Sequence, residues 1–102
     1  MRRRYVLAPE AALDLAKIWH HIKANASLEM AGRVESDILA KIGFLVGTPG
    51  AGHWRKDLTN EPVKFFSVYS YLIVYRPETR PLQIVAILQG RRDVRQHLKD
   101  RL

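Results

Sequence analysis

The chain contains no cysteine. Disulfides and thiolate metal sites are therefore excluded as means of holding the fold, and a reducing cytoplasm is the simplest compartment. Long hydrophobic runs are absent too, none approaching the ~18 residues of a membrane span. The start "MRRRYVLAPEAAL" is basic. Pro9, Glu10 and Asp14 interrupt its apolar stretch, which argues against a signal peptide. No repeat and no low-complexity tract is visible.

Familiar catalytic patterns are missing as well. His20 and His21 are adjacent, so they point to different sides of a helix, and His53 and His97 stand alone. No pair has the spacing of a zinc site, so neither a metal nor a cofactor is called for. Ser27, Ser36, Ser67 and Ser70 lack a nucleophile-elbow context. "GTPGAGH" lacks the Lys-Ser/Thr ending of a phosphate-binding loop.

What is present is positive charge, with 17 Lys and Arg against 10 Asp and Glu, a formal net charge of +7 and a pI of about 10.1. Such a surface favours nucleic acid, an acidic protein or an anionic membrane without choosing among them. With 102 residues, 47% of them hydrophobic, the chain fits one domain with a modest core.

Residues 3–8 form a short β-prone stretch ended by Pro9, which suits the first position of a helix although Ala8 is a poor N-cap. Helical spacing follows over residues 9–24, with Leu15, Ile18, Trp19 and Ile22 on one stripe. Ser27 supplies N-cap chemistry for a second helix striped by Ala31, Val34, Ile38, Ile42 and Leu45. Gly47 is the expected C-cap, and Pro49 ends any continuation. So short a link predicts an antiparallel helical hairpin.

Residues 47–62 make a long Gly- and Pro-rich connector with a basic-aromatic centre, "HWRK". Connectors this long are often functional. Strands are expected over residues 63–69, 71–77 and 82–89, with Ser70 as a tight hairpin point. In the last strand Leu82, Ile84, Ala86 and Leu88 should face one way, and Gln83, Val85, Ile87 and Gln89 the other. Asp93 caps a short terminal helix carrying Val94 and Leu98. The fold class is α+β: an N-terminal strand, a two-helix antiparallel hairpin, a three-stranded antiparallel meander and a short C-terminal helix. The helices are expected on one face and the first strand at the edge of the meander.

Basic residues cluster at Arg2, Arg3 and Arg4, at Arg55, Lys56 and Lys64, and at Arg91, Arg92, Arg95, Lys99 and Arg101. If the first, second and last strands neighbour one another, these clusters converge. Interleaved Trp54, Phe65, Phe66, Tyr69, Tyr71 and Tyr75 resemble a single-stranded nucleic-acid surface in composition. Burial tendency favours the core for most of them.

The stretches "APEAALDLAKIWHHI", "GHWRKDLTNEPVKFFSVYSYLIVYRP" and "LQIVAILQGRRDV" resemble the RelE/ParE superfamily of type II toxin–antitoxin toxins, and within it the ParE branch. The resemblance spans residues 5–98. It implies the α+β fold above, a cytoplasmic toxin and a cognate ParD-like or related antitoxin. That antitoxin would lay a helix and an extended strand across the helical hairpin and the sheet edge, with Leu15, Trp19, Ile22 and Trp54 as candidate contacts. Operator DNA would then be bound indirectly, through the antitoxin.

RelE-like members cut mRNA on the ribosome, whereas ParE-like members poison DNA gyrase. Of the nuclease positions, Val63, Phe65 and Leu72 stand where basic residues are needed, Leu98 stands in place of the acid, and Arg92 alone matches. Hydrocarbon side chains can neither transfer a proton nor stabilise a phosphorane. The resemblance thus implies a non-enzymatic gyrase inhibitor, with Arg91, Arg92, Arg95 and Lys99 as target-binding candidates. A nuclease built on Lys64, Arg92 and His97 remains the alternative, as does a non-toxic member acting only in the autorepressor complex.

Overall fold

The computed structural model describes residues 4–91 and 93–102. The order of elements is β1 (Tyr5–Leu7), α1 (Pro9–Asn25), α2 (Leu28–Gly47), a 3-10 turn (Pro49–Ala51), β2 (Lys64–Val68), β3 (Tyr71–Arg76), β4 (Leu82–Gln89) and α3 (Val94–Leu98). This is the expected α+β sequence of elements.

Local chemistry explains the helix ends. Pro9 opens α1 without a side-chain cap from Ala8. Ser27 accepts the Met30 N–H at 3.0 Å and starts α2 one residue after Ala26 closes α1. The expected stripe of α2 is buried throughout. At its C-terminus the cap is Thr48, whose N–H reaches Phe44 O at 3.0 Å. Gly47 remains helical because Pro49 turns the chain at once into a 3-10 turn, leaving no use for a left-handed glycine. Asp93 accepts the Gln96 N–H at 3.2 Å and caps α3. None of these helices is long and apolar enough to cross a membrane.

The sheet order is β1-β4-β3-β2, with β1 parallel to β4 and the rest antiparallel. The first strand is at the edge, as expected, but it neighbours β4 alone. β2 forms the opposite edge, so the first and second strands do not meet; Arg2 and Arg3 of the first basic cluster lie outside the described residues. The β2–β3 hairpin turns at Tyr69 and Ser70, with Tyr69 at φ 56°. Its hydroxyl donates to Asp37 on α2.

Two apolar layers sandwich the sheet. Leu15, Val34, Ile38, Ile42 and Leu45 pack with Val68, Ile73, Tyr75, Leu82, Ile84 and Ile87 under the helical hairpin. Val63, Phe65, Leu72, Val74, Val85, Ala86, Leu88, Val94 and Leu98 form the layer on the other side. The helices are therefore not confined to one face. β3 is buried continuously from Leu72 to Tyr75, and a strand apolar on both sides needs cover on both. α3 supplies that cover with Val94 and Leu98, one helical turn apart.

Strict alternation along β4 also fails. Val74 pairs with Ala86 and Tyr75 with Ile84, so Val85 is an extra residue, a β-bulge. Before the bulge Leu82 and Ile84 face the helical hairpin. After it Ile87 does, while Ala86 and Leu88 join the α3 side.

Candidate functional site

The connector is fastened to the sheet at its first half. Gly52 N–H donates to the Tyr75 hydroxyl at 2.9 Å, and that hydroxyl donates to Pro49 O at 2.7 Å. His53 and Phe65 exchange backbone hydrogen bonds of 2.9 and 2.8 Å, which covers part of the β2 edge. Arg55 and Asp57 then form a two-point ion pair at 3.0 and 2.8 Å. Mutual hydrogen bonding pushes the arginine up and the carboxyl down from their ordinary pKa values.

The candidate target-binding residues gather around α3. Arg91, Arg95 and Lys99 are exposed. Arg95 also donates to the Asp57 carbonyl, drawing the connector and α3 together. Arg92 lies outside the described residues.

The positions tested for nuclease chemistry meet in one place. Val63 is 1%, Phe65 2%, Leu72 9% and Leu98 2% exposed, all within the layer under α3. Lys64 is on the other side of β2. Its ammonium reaches Gly50 O at 3.1 Å and lies 4.9 Å from the Trp54 ring centroid. His97 is exposed and borders a different surface, a cleft that Lys64 does not line. The fold does not bring these two together. Among the described residues no group of acidic and His side chains is placed to hold a metal.

The candidate antitoxin contacts divide as well. Leu15 is 7% exposed inside the main core, because it faces the sheet from α1, and it offers no surface to a partner. Ile22 is half-buried against the same core. Trp19 is half-buried beside His20, with Lys23 5.3 Å from its ring. Trp54 is exposed next to Lys64 on the edge strand β2, whereas α1 packs over β4. Trp54 thus stands apart from the α1 contacts.

Two features escape the sequence reading. Exposed Phe44 on α2 lies 5.9 Å from Phe66 on β2, centroid to centroid. A cleft of about 340 Å³ is walled by Lys17, His21, His97 and Arg101, with Ile87 and Gln89 on its floor. At its rim Asp14 grips Arg101 with two bonds of 2.8 Å and accepts the Ile87 N–H at 3.0 Å, and Glu10 meets Arg101 at 2.9 Å. The Asp14 hydrogen bonds raise the pKa of that guanidinium. The signal was there: Asp14, Lys17, Ile18 and His21 share one helical face by spacing.

Comparisons with known proteins agree with this geometry. A family model described as the ParE toxin of type II toxin–antitoxin systems, parDE, matches residues 5–94. No curated protein matches the sequence significantly. Among solved structures the fold is similar to a chain of a chromosomal ParDE toxin–antitoxin system from P. aeruginosa. The TM-score is 0.72 and the identity 21%, over 83% of this chain and 92% of that one. The chain belongs to the ParE toxin family of type II toxin–antitoxin systems.

Proposed function

We propose that this chain is a cytoplasmic toxin that acts by binding rather than by cutting, with DNA gyrase as its target and a ParD-like antitoxin as its neutralising partner. The observation that carries the reading is the hydrocarbon layer of Val63, Phe65, Leu72 and Leu98. Those positions correspond to the phosphate-stabilising and proton-donating groups of the related nucleases, and here they hold none. Exposed Arg91, Arg95 and Lys99 give the surface that docks on gyrase or its DNA-bound complex. Operator DNA is reached through the antitoxin, and the two-protein complex is the autorepressor.

Purified toxin added to gyrase tests the reading. Inhibited supercoiling or trapped DNA cleavage supports it, and unaffected gyrase at large toxin excess overturns it. Codon-phased cuts in mRNA on translating ribosomes would instead select the nuclease alternative. Unchanged growth on expression without antitoxin would select a purely repressive role.

A further inference from the structure

The fold sorts the aromatic residues that accompany the basic ones in sequence. Phe65 and Tyr75 are buried, and Phe66 and Tyr71 pack against the core. Tyr69 is exposed, with its hydroxyl donating to Asp37 on α2. Trp54 alone of the six stays open beside the basic groups of the connector, at 49% exposure. The antiparallel bridge of His53 to Phe65 sets Trp54 opposite Lys64. The Lys64 ammonium, held by Gly50 O at 3.1 Å, lies 4.9 Å from the indole centroid. A cation over the ring fixes it at the β2 edge, and the exposed part of the indole can take a second planar group.

From Trp54 the connector crosses the β2 edge towards α3. Arg55 closes on the Asp57 carboxylate at 3.0 and 2.8 Å, and Arg95 of α3 donates to the Asp57 carbonyl. The carboxylate at the centre of this strip is thereby matched by Arg55, whereas the charge of Arg95 meets only a neutral oxygen. Lys56, between them, is exposed and forms no ion pair among the described residues. Glu61 is the other acidic residue of the connector. The strip therefore runs from a half-open indole, past the uncompensated charges of Lys56 and Arg95, to exposed Arg91 and Lys99 beside α3.

We propose that this strip binds single-stranded DNA, with a base stacked on Trp54 and phosphates beside Lys56 and Arg95. An open indole next to unmatched cations suits an unpaired base and its backbone. Duplex DNA hides its base faces, and an acidic polypeptide such as polyglutamate has no planar group for the ring. Either would use the charge and leave Trp54 without a role. The choice of DNA over RNA rests on the gyrase reading above, in which the strand belongs to DNA that gyrase has cut.

The test titrates the purified full chain against a labelled thymidine oligomer of about 12 nucleotides, followed by fluorescence anisotropy at several salt concentrations. The oligomer should bind more tightly than the matched duplex or polyglutamate. Trp54→Ala should weaken binding by roughly tenfold or more, and Trp54→Phe by less. Lys56→Ala should flatten the slope of log affinity against log salt by about 0.7. Lys17→Ala removes the same charge from exposed α1 surface and should leave that slope unchanged. In Trp19→Phe the only tryptophan is Trp54, and the oligomer should quench its emission. Full-strength binding by Trp54→Ala without quenching overturns the site, as does tighter binding of duplex or polyglutamate. Tighter binding of the matched uridine oligomer overturns the assignment to DNA. Gyrase assayed alongside separates the two readings. Inhibited gyrase with no oligomer binding overturns the strip alone, and oligomer binding with unaffected gyrase supports the strip while overturning the target.

Discussion

The hydroxyl of Tyr75 accepts the N–H of Gly52 at 2.9 Å while donating to Pro49 O at 2.7 Å. Tyr75 is fully buried near the end of the central strand β3, and Gly52 lies 23 positions earlier in the connector. One phenol therefore ties the first turn of a Gly- and Pro-rich loop to the sheet. This contact sets where the loop begins and positions the His53–Phe65 exchange that follows it.

Tyr75→Phe should keep the ring packed and lose both hydrogen bonds. The Gly52 N–H is then left buried without its acceptor, which costs about 1–3 kcal/mol. Chemical denaturation at neutral pH measures the loss. Alkali gives a second reading. Burial raises the phenol's pKa above its ordinary value near 10, outweighing the opposite pull of the Gly52 N–H. The folded state thus keeps its proton where the unfolded chain gives it up. The stabilisation is fully present below about pH 10 and is lost as pH rises through the folded value. Wild type should lose stability above about pH 10 more steeply than Tyr75→Phe.

Gly52→Ala tests the same junction from the other side. A Cβ there would sit 2.5 Å from the Tyr75 hydroxyl, 2.9 Å from its Cε1 and 3.0 Å from Phe65 O. The ring is locked in the core and the carbonyl belongs to a strand, so neither yields easily. A loss of about 1–3 kcal/mol is expected. The double variant Gly52→Ala/Tyr75→Phe should lose less than the sum of the singles, because the shortest clash is with the oxygen. Strict additivity in denaturant midpoints would contradict this account.

Much of the fold was written in local patterns. Ser27 and Asp93 cap the helices their side chains suggest, and every residue of the α2 stripe is buried. The unbroken apolar run in β3 already carried the sign of burial on two faces, which the expectation of one-sided helices overlooked. The bulge at Val85 was not legible, because it arises from pairing with β3 and not from any residue type in β4. The placement of β1 beside β4 had the same character. Of the candidate site, the exposure of Arg91, Arg95 and Lys99 was to be expected from their charge alone. The cleft was missed because Asp14 and His21 read as ordinary helix-surface residues until the fold sets β4 and the C-terminus beside them.

Lys64→Ala and His97→Ala should each leave toxicity on expression without antitoxin essentially intact. Lys64 is occupied with Gly50 O and the Trp54 ring, and His97 borders a separate cleft. A joint catalytic role has no geometric basis in that placement. The combined reversal Arg95→Glu/Lys99→Glu should instead reduce gyrase inhibition by roughly tenfold or more, more steeply at low salt than at high salt. Growth arrest in liquid culture, scored beside a supercoiling assay, separates the outcomes. Loss of toxicity in His97→Ala with unaffected gyrase would return the chain to the nuclease reading.

Asp14 joins α1 to both β4 and the C-terminus through one carboxylate. It holds the Arg101 guanidinium by two bonds of 2.8 Å, anchors the C-terminus to α1, and accepts the Ile87 N–H beside the bulge. Both partners of the ion pair are mostly shielded, with side chains 11% and 14% exposed, so screening by salt should be weaker than for a surface pair. Asp14→Asn retains an oxygen for one partner and should cost about 1–2 kcal/mol. Asp14→Ala leaves the Ile87 N–H unanswered and Arg101 with Glu10 as its remaining partner, and should cost about 2–4 kcal/mol. Removing Arg101 as well relieves the part-paired guanidinium but not the Ile87 N–H. The double variant Asp14→Ala/Arg101→Ala should therefore be less destabilised than the singles sum to, yet still weaker than wild type. Hydrogen exchange at Ile87 makes the distinction: its amide should exchange faster in both Asp14→Ala backgrounds and stay protected in Arg101→Ala. Protection of Ile87 that survives Asp14→Ala would show that the carboxylate is not its acceptor.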